Sequence, residues 1–312
     1  MPLRVVFMGT PEFAVPCLER IIADNHEVCG VFCQPDRPRG RGMALLPPPV
    51  KQTALQHDIP VFAPVKLRDG QALEILRDLA PDIIVVVAYG RILPTEILEL
   101  APMGCINVHA SLLPRWRGAA PIQWSIIDGD ATTGVTTMHV CKELDCGDII
   151  LTSETDIAPD ETSGQLFARL SQMGADLLCQ TLDLLQKGTA PRTPQDHSQA
   201  TLAPPIEKSM ARLDFTATPQ QFCNLVRGLN PAPGAVARFG AEAQLPLKVH
   251  RAVPAPDFAG APGEILHRGR LIVGCGGGAV ELLSVQPQGK KPMDGSAWLN
   301  GLRGQAEQER FL

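Results

Sequence analysis

Residues 83–88 read Ile83-Ile84-Val85-Val86-Val87-Ala88, an unbroken apolar run in which five consecutive side chains branch at Cβ. Branching suits the extended backbone, and the lack of polar alternation means that both faces are covered, as in a central strand of a parallel sheet. Similar runs lie at Arg4–Met8 and Glu27–Cys33, separated by a helix-like stretch at 14–23, and again at Cys105–His109. Helical stretches near 70–79, 95–100 and 119–128 alternate with them, so the spacing predicts repeated βαβ units and a doubly wound, Rossmann-like α/β domain. Residues 134–140 and 148–153, joined by a short polar turn, read as a hairpin or an extension of the sheet edge. Residues 162–186 read as a long amphipathic helix capped by Ser163 or a neighbour and stopped at Gly188.

A chain of 312 residues exceeds one small core, and at roughly 100 to 200 residues per domain two domains are expected. The stretch 189–207, rich in Pro, Thr, Gln and Ala without a hydrophobic period, reads as a linker between a domain at 1–188 and a second at 208–312. The second part offers one helix near 219–227 and short strand candidates at 236–239, 247–251, 263–266, 271–275 and 279–285, a composition that suggests a small β-barrel. The proline-rich tract 45–50 reads as a stiff loop.

Composition removes several classes. With 45% hydrophobic and 20% charged residues the chain is neither disordered nor fibrous. No long apolar segment opens it, so a cytoplasmic protein with no membrane span is expected. Nine scattered cysteines without a C-x-x-C pair point to buried thiols, with neither disulfides nor a metal. The net charge of -5 conceals an asymmetry: residues 208–312 carry 12 Lys and Arg against 8 Asp and Glu, whereas the preceding residues carry 16 against 25. A basic second half beside an acidic first half suits contact with a polyanion.

In an open parallel sheet the ligand crevice lies beyond the carboxyl ends of the strands. Asn107 and His109 end the apolar run 105–109, and their spacing of two puts both side chains on one face. An amide that donates to a developing oxyanion and an imidazole that handles protons near neutral pH are the parts an acyl transfer needs. The turn Lys142-Glu143-Leu144-Asp145-Cys146-Gly147-Asp148 offers a carboxylate, Asp145, placed to turn back toward them and favour a protonated His109.

Around these residues the sequence Cys105–Ala120, C-I-N-V-H-A-S-L-L-P-R-W-R-G-A-A, resembles the N-x-H and S-L-L-P-x-x-R-G signature of the 10-formyltetrahydrofolate-dependent formyltransferases. Further segments resemble the members of that family that act on initiator methionyl-tRNA. They are F-M-G-T-P-E-F-A near the start, Q-P-D-R-P-x-G-R-G at 34–42, V-V-A-Y-G at 86–90, K-E-L-D-x-G-D at 142–148 and A-P-x-I-x-K at 203–208. The resemblance implies a Rossmann-like catalytic domain followed by an OB-like barrel that contacts tRNA. It also implies 10-formyltetrahydrofolate as donor, no metal, and a chain acting as a monomer. Residue by residue, it makes Asn107 and His109 the stabilisers of the formyl oxyanion and Asp145 the carboxylate that orients His109 or a relaying water. Ser111, Leu112, Leu113 and Pro114 become the folate-contacting loop, with Tyr89, Gly90, Arg91 and Ile92 where related enzymes hold the pterin. Arg37, Arg39 and Arg41 lie in a glycine-hinged loop suited to the acceptor stem, and Lys208 closes the last motif. Two departures stand out: Ala232 replaces tryptophan in N-P-W-P-G at 230–234, and Leu213-Asp214-Phe215 replaces I-D-W.

Three rival readings remain. A formyltransferase for a small amine, such as glycinamide ribonucleotide or an amino sugar nucleotide, uses the same N-x-H and S-L-L-P parts but has no need of the arginine loop. A nicotinamide oxidoreductase uses a doubly wound domain, but Pro11 and Glu12 stand where G-x-G-x-x-G requires backbone close to a pyrophosphate. A catalytically silent binder of tRNA or folate carries the motifs without turnover.

Overall fold

The computed structural model describes residues 2–39, 44–240, 245–267, 269–302 and 310–312. Its elements run β1 (Arg4–Gly9), α1 (Val15–Ala23), β2 (Glu27–Phe32), β3 (Arg37–Arg39), β4 (Ala44–Leu46), α2 (Pro49–Gln56), β5 (Val61–Phe62), α3 (Gln71–Leu79) and β6 (Ile83–Val87). There follow α4 (Thr95–Leu98), β7 (Cys105–His109), β8 (Arg117–Gly118), α5 (Pro121–Asp128), β9 (Thr132–His139), β10 (Ile149–Asp156) and α6 (Ser163–Gln186). Last come β11 (Leu202–Ala203), α7 (Pro219–Gly228), β12 (Ala235–Phe239), β13 (Leu245–Pro254), β14 (Ile272–Cys275), β15 (Gly278–Pro287), β16 (Met293–Asp294) and α8 (Gly295–Gly301).

Two compact units form. One comprises Met1–Pro121, Thr132–Thr155 and Phe167–Pro204, the other Ile122–Ala131, Asp156–Leu166 and Pro205–Leu312. The first holds a seven-stranded sheet in the order β10-β9-β7-β6-β1-β2-β5. Pairing is parallel from β7 across to β5, and β9 adds antiparallel to β7. Every residue of β6 is buried, as its unbroken branched run demands. Strands β9 and β10, neighbours at one end of the sheet with β10 at its edge, answer the pair of strands expected at 134–153.

The second unit carries a five-stranded sheet in the order β12-β13-β15-β14 with β16 on β15, its pairs antiparallel. The segment 263–266 contributes only a bridge from Ile265 to Val273 rather than a strand. The core joins Phe215, Phe222, Phe239, Val249, Leu282 and Phe311. Phe215 stacks 4.9 Å from Phe222 and 5.2 Å from Phe311, so the smaller aromatic at this position still fills the interior. Ala232 is exposed, so its departure from tryptophan leaves no hole in the core.

The sequence pointed to Ser163 or a neighbour as the cap of α6, and it is the neighbour. Thr162 Oγ1 accepts from Gln165 N and Gln165 Oε1 accepts from Thr162 N, a reciprocal capping box, while the Ser163 hydroxyl donates to Asn230 O. The tract read as a stiff loop runs directly into α2, whose first residue is Pro49, because a proline at the first helical position forfeits no helical hydrogen bond. No helix among the described residues is long and apolar enough to cross a membrane.

Candidate active site at the strand ends

Asn107 pairs with Val86 on one side and Met138 on the other, and His109 pairs with Thr136, so β7 delivers both side chains from the middle of the sheet. Asn107 is half-buried and makes no side-chain hydrogen bond to a described residue, which leaves its amide free to donate into the crevice. His109 is 6% exposed. Its Nε2 lies 2.8 Å from the carbonyl oxygen of Trp116, and its Nδ1 lies 3.7 Å from Asp145 Oδ2. Since Trp116 O only accepts, Nε2 carries a hydrogen. Nε2 is thus engaged by Trp116 O, while Nδ1 faces the Asp145 carboxylate. The 3.7 Å separation is an ion-pair distance and too long for a direct hydrogen bond.

Asp145 comes to His109 from a turn constrained at several residues. Its own φ is +47°, a left-handed backbone that aspartate tolerates better than most residues. Gly118 N donates to Asp145 Oδ2 at 2.9 Å, fixing the carboxylate. Gly147 runs so close to its neighbours that a Cβ there would sit 1.8 Å from His139 O. Cys141 and Cys146 close a disulfide across the same turn, which overturns the expectation that all nine cysteines are free; their spacing of five matches no redox motif and carries no signal in the sequence. Burial drives the thiols of Cys17 and Cys105 up to about 12, consistent with inert packing roles.

The residues resembling a folate loop fall into two groups. Ser111 is fully buried, donates to Arg115 O at 2.6 Å and accepts at its carbonyl from Thr136 Oγ1 at 2.6 Å, so its hydroxyl shapes the loop. Thr136 Oγ1 in turn accepts from Leu113 N, which fixes the run Leu112-Leu113-Pro114. Beyond β6, Tyr89 is buried and burial raises its phenol to about 12, Gly90 has φ +75°, and Arg91 Nη1 donates to Val65 O at 2.6 Å. Ile92, by contrast, is 72% exposed. Sequence reasoning missed the brace under this loop: Gln34 Nε2 and Thr10 Oγ1 both donate to Tyr89 O, from the ends of β2 and β1. Backbone acceptors leave no trace in a sequence pattern.

A cavity of 610 Å³ lies beside the loop, walled by Leu67, Leu73, Ile92, Leu93 and Ile97, with Arg68 and Lys142 adding positive charge and Glu96 a carboxylate. Apolar walls with two cations fit a flat aromatic ligand that ends in carboxylates, which is the chemistry of a folate. The cavity shares Ile92 with the proposed pterin residues but is lined by none of Asn107, His109 and Asp145. The link is Lys142, three residues before Asp145 in the same turn.

Arg37 and Arg39 lie on β3, which pairs with β4 as a small hairpin; Arg41 lies outside the described residues. Lys208 is exposed at the start of a short 3-10 turn in the second unit.

Comparison with known proteins agrees with these observations. Residues 3–182 match the model of the formyl transferase family and residues 205–303 that of the formyl transferase C-terminal domain. The chain is 49% identical over 303 residues to the methionyl-tRNA formyltransferase of Geotalea daltonii, covering 96% of both. It is 48% identical over 302 residues to that of Moorella thermoacetica, again covering 96% of both. Among solved structures, an N-formyltransferase from Helicobacter canadensis in complex with folinic acid and dTDP-3-aminofucose superposes with a TM-score of 0.69 at 17% identity, over 91% of this chain and 99% of that one. HypX from Aquifex aeolicus with tetrahydrofolic acid superposes with 0.65 at 17% identity, over 97% of this chain and 48% of that one, so the chain spans about half of HypX. At such identities the structural likeness speaks for the fold.

Proposed function

From the premise that this chain belongs to the formyl transferase family, we propose that it moves the formyl group of 10-formyltetrahydrofolate to the amino group of methionine carried on initiator tRNA. The observation that carries the reading is the nearness of His109 and Asp145 at the end of β7, with Asn107 two residues earlier on the same strand, inside a chain that matches methionyl-tRNA formyltransferases along nearly its whole length.

The donor supplies a formyl carbon bonded to N10 of the folate. The methionyl amine is an efficient nucleophile because the neighbouring ester lowers its basicity, so the protein's task is placement and charge. Asn107 donates its amide hydrogen to the formyl oxygen as the new C–N bond forms. His109, held between Trp116 O and Asp145, places positive charge beside that oxygen. Asp145, beside His109, takes the proton lost by the amine through a relaying water and returns it to N10 as the old C–N bond breaks. Ser111 to Pro114 and Tyr89 to Ile92 flank the donor, with Ile92 and the adjoining cavity receiving its apolar body.

The 208–312 part, read as an OB-like barrel, and the hairpin of Arg37 and Arg39 with the adjoining Arg41 meet the tRNA, as does Lys208. Phosphate contact by these cations is independent of sequence and weakens with salt. A cytoplasmic monomer is sufficient for this scheme, since one chain supplies every group named. The test is release of tetrahydrofolate, followed by absorbance, with initiator tRNA charged with methionine, with the same tRNA uncharged, and with an amino sugar nucleotide. Turnover with the charged tRNA alone is expected; turnover with the sugar nucleotide instead would move the chain to the small-amine branch of the family.

A further inference from the structure

Between Gln186 and Gln199 the chain runs over the surface and a single side chain is buried, and that side chain is polar: Gln195, 6% exposed. An exposed segment that inserts its amide rather than an apolar group has a specific set of hydrogen bonds to reach, because an unpaired amide in the interior is penalised. Gln195 reaches four strong partners, besides the weak acceptor Met138 Sδ at 3.9 Å. Its Nε2 donates to Asp145 O at 2.9 Å and to Gly147 O at 2.7 Å, and its Oε1 accepts from Arg117 Nε at 3.1 Å and Nη2 at 2.6 Å. Both hydrogens and both lone pairs of the amide are therefore used. The segment is pinned beside the turn by reciprocal backbone bonds between Thr193 and Ile149, at 2.8 and 3.0 Å.

We propose that Gln195 is a positioning residue of the transfer site, holding the Asp145 turn at the distance from His109 that the reaction needs. The inference rests on the role assigned to Asp145 above. Asp145 is gripped from two directions that converge on adjacent residues. Its carboxylate accepts from Gly118 N, and its carbonyl is tied through Gln195 to the side chain of Arg117. Arg117 is itself 8% exposed, and its Nη2 lies 3.1 Å from His197 Nδ1, so the clamp is anchored at both ends in the 193–197 segment. A residue with φ of +47° has no helix or strand ladder to hold it, and the cross-links from 117, 118 and 195 take that place. Gln195 touches neither reacting atom; it acts through Asp145.

Two near-isosteric changes separate this role from packing. Gln195→Glu keeps the acceptor for Arg117 but has no hydrogen for Asp145 O and Gly147 O, whereas Gln195→Met keeps the volume and loses every bond. Each is measured for thermal unfolding, for kcat and for KM of both substrates, alone and combined with Asp145→Ala. We expect Gln195→Glu to unfold within a few degrees of the parent, with kcat lower by about 100-fold, the scale of a misplacement of about 1 Å, and both KM values within about threefold. In the Asp145→Ala background the same change is expected to lower kcat by less than about threefold, because the group it positions is gone. A kcat within threefold of the parent for both Gln195 variants, while Asp145→Ala collapses, overturns the proposal and leaves the role of Asp145 standing. So does a loss that multiplies undiminished in the Asp145→Ala background. An Asp145→Ala enzyme with parental kcat overturns the role of Asp145 and this inference with it. Failure of both Gln195 variants to fold also counts against the proposal, because what the geometry assigns is positioning separable from folding.

Discussion

The turn that carries Asp145 has one position where a single methyl group should disable the site without touching any reacting group. A Cβ on Gly147 would stand 1.8 Å from His139 O and 2.8 Å from His139 C, both backbone atoms of β9. Opening the first contact to 3.0 Å takes a shift of about 1.2 Å, and no flexible side chain is there to absorb it. The shift falls on the turn, since β9 is held between β7 and β10 in the sheet. Gly147 O is also an acceptor of Gln195, so the same movement breaks a tie to Asp145. A misplacement of about 1 Å costs on the order of 100-fold in rate, so Gly147→Ala is expected to lower kcat by roughly that factor. The KM for charged tRNA should be nearly unchanged and that for folate should rise by less than about threefold, since Lys142 of the same turn is one cation among several groups lining the cavity. The assay is single-turnover formyl transfer to charged initiator tRNA, with circular dichroism to measure the folded fraction. A parental rate in the folded variant would refute the claim that placement of this turn matters; so would a loss fully explained by unfolded protein.

Other expectations follow from the same geometry. Asn107→Ala removes the free amide donor and should lower kcat by about 100- to 1000-fold with intact folding, measured by the tetrahydrofolate absorbance assay. Tyr89→Phe deletes a buried hydroxyl that has no partner among the described residues, so it should raise stability by about 1 kcal/mol in urea unfolding. Raising the salt concentration from about 50 to about 200 mM should increase the KM for charged tRNA steeply and leave that for folate nearly constant; equal sensitivity of the two would argue against phosphate contacts by Arg37, Arg39, Arg41 and Lys208.

The sheet was legible because its signal is local: β6 and β7 occupy the runs 83–87 and 105–109 that their branched side chains mark. The pair of strands β9 and β10 was legible for a similar reason, as two strand-like runs flank a polar turn. Strand β5 was invisible because Val61 and Phe62 alone form it, too short for any period to register. Helix α2 was hidden by its own prolines, which mark a loop in general but a helix start at Pro49.

The site divides in the same way. Asn107 and His109 are candidates by their spacing, and Asp145 lies 3.7 Å from His109. What holds them has no such mark. Trp116 meets His109 with its backbone carbonyl, and Tyr89 meets the side chains of Thr10 and Gln34 with its own, so the identities of Trp116 and Tyr89 say nothing of the contacts. Gln195 finds Arg117 across 78 positions, inside a stretch whose composition reads as a linker. The buried amide becomes meaningful only once the fold brings the turn beneath it.

The central claim is that Asn107, His109 and Asp145 act as one unit on one formyl carbon. It is tested most directly by single-turnover formyl transfer to charged initiator tRNA in His109→Ala, Asp145→Ala and the double variant. If the two groups share one proton path, the double variant should be about as slow as the slower single one, with far less than the product of the two losses. Losses that multiply, or a parental rate in either single variant, would contradict the account.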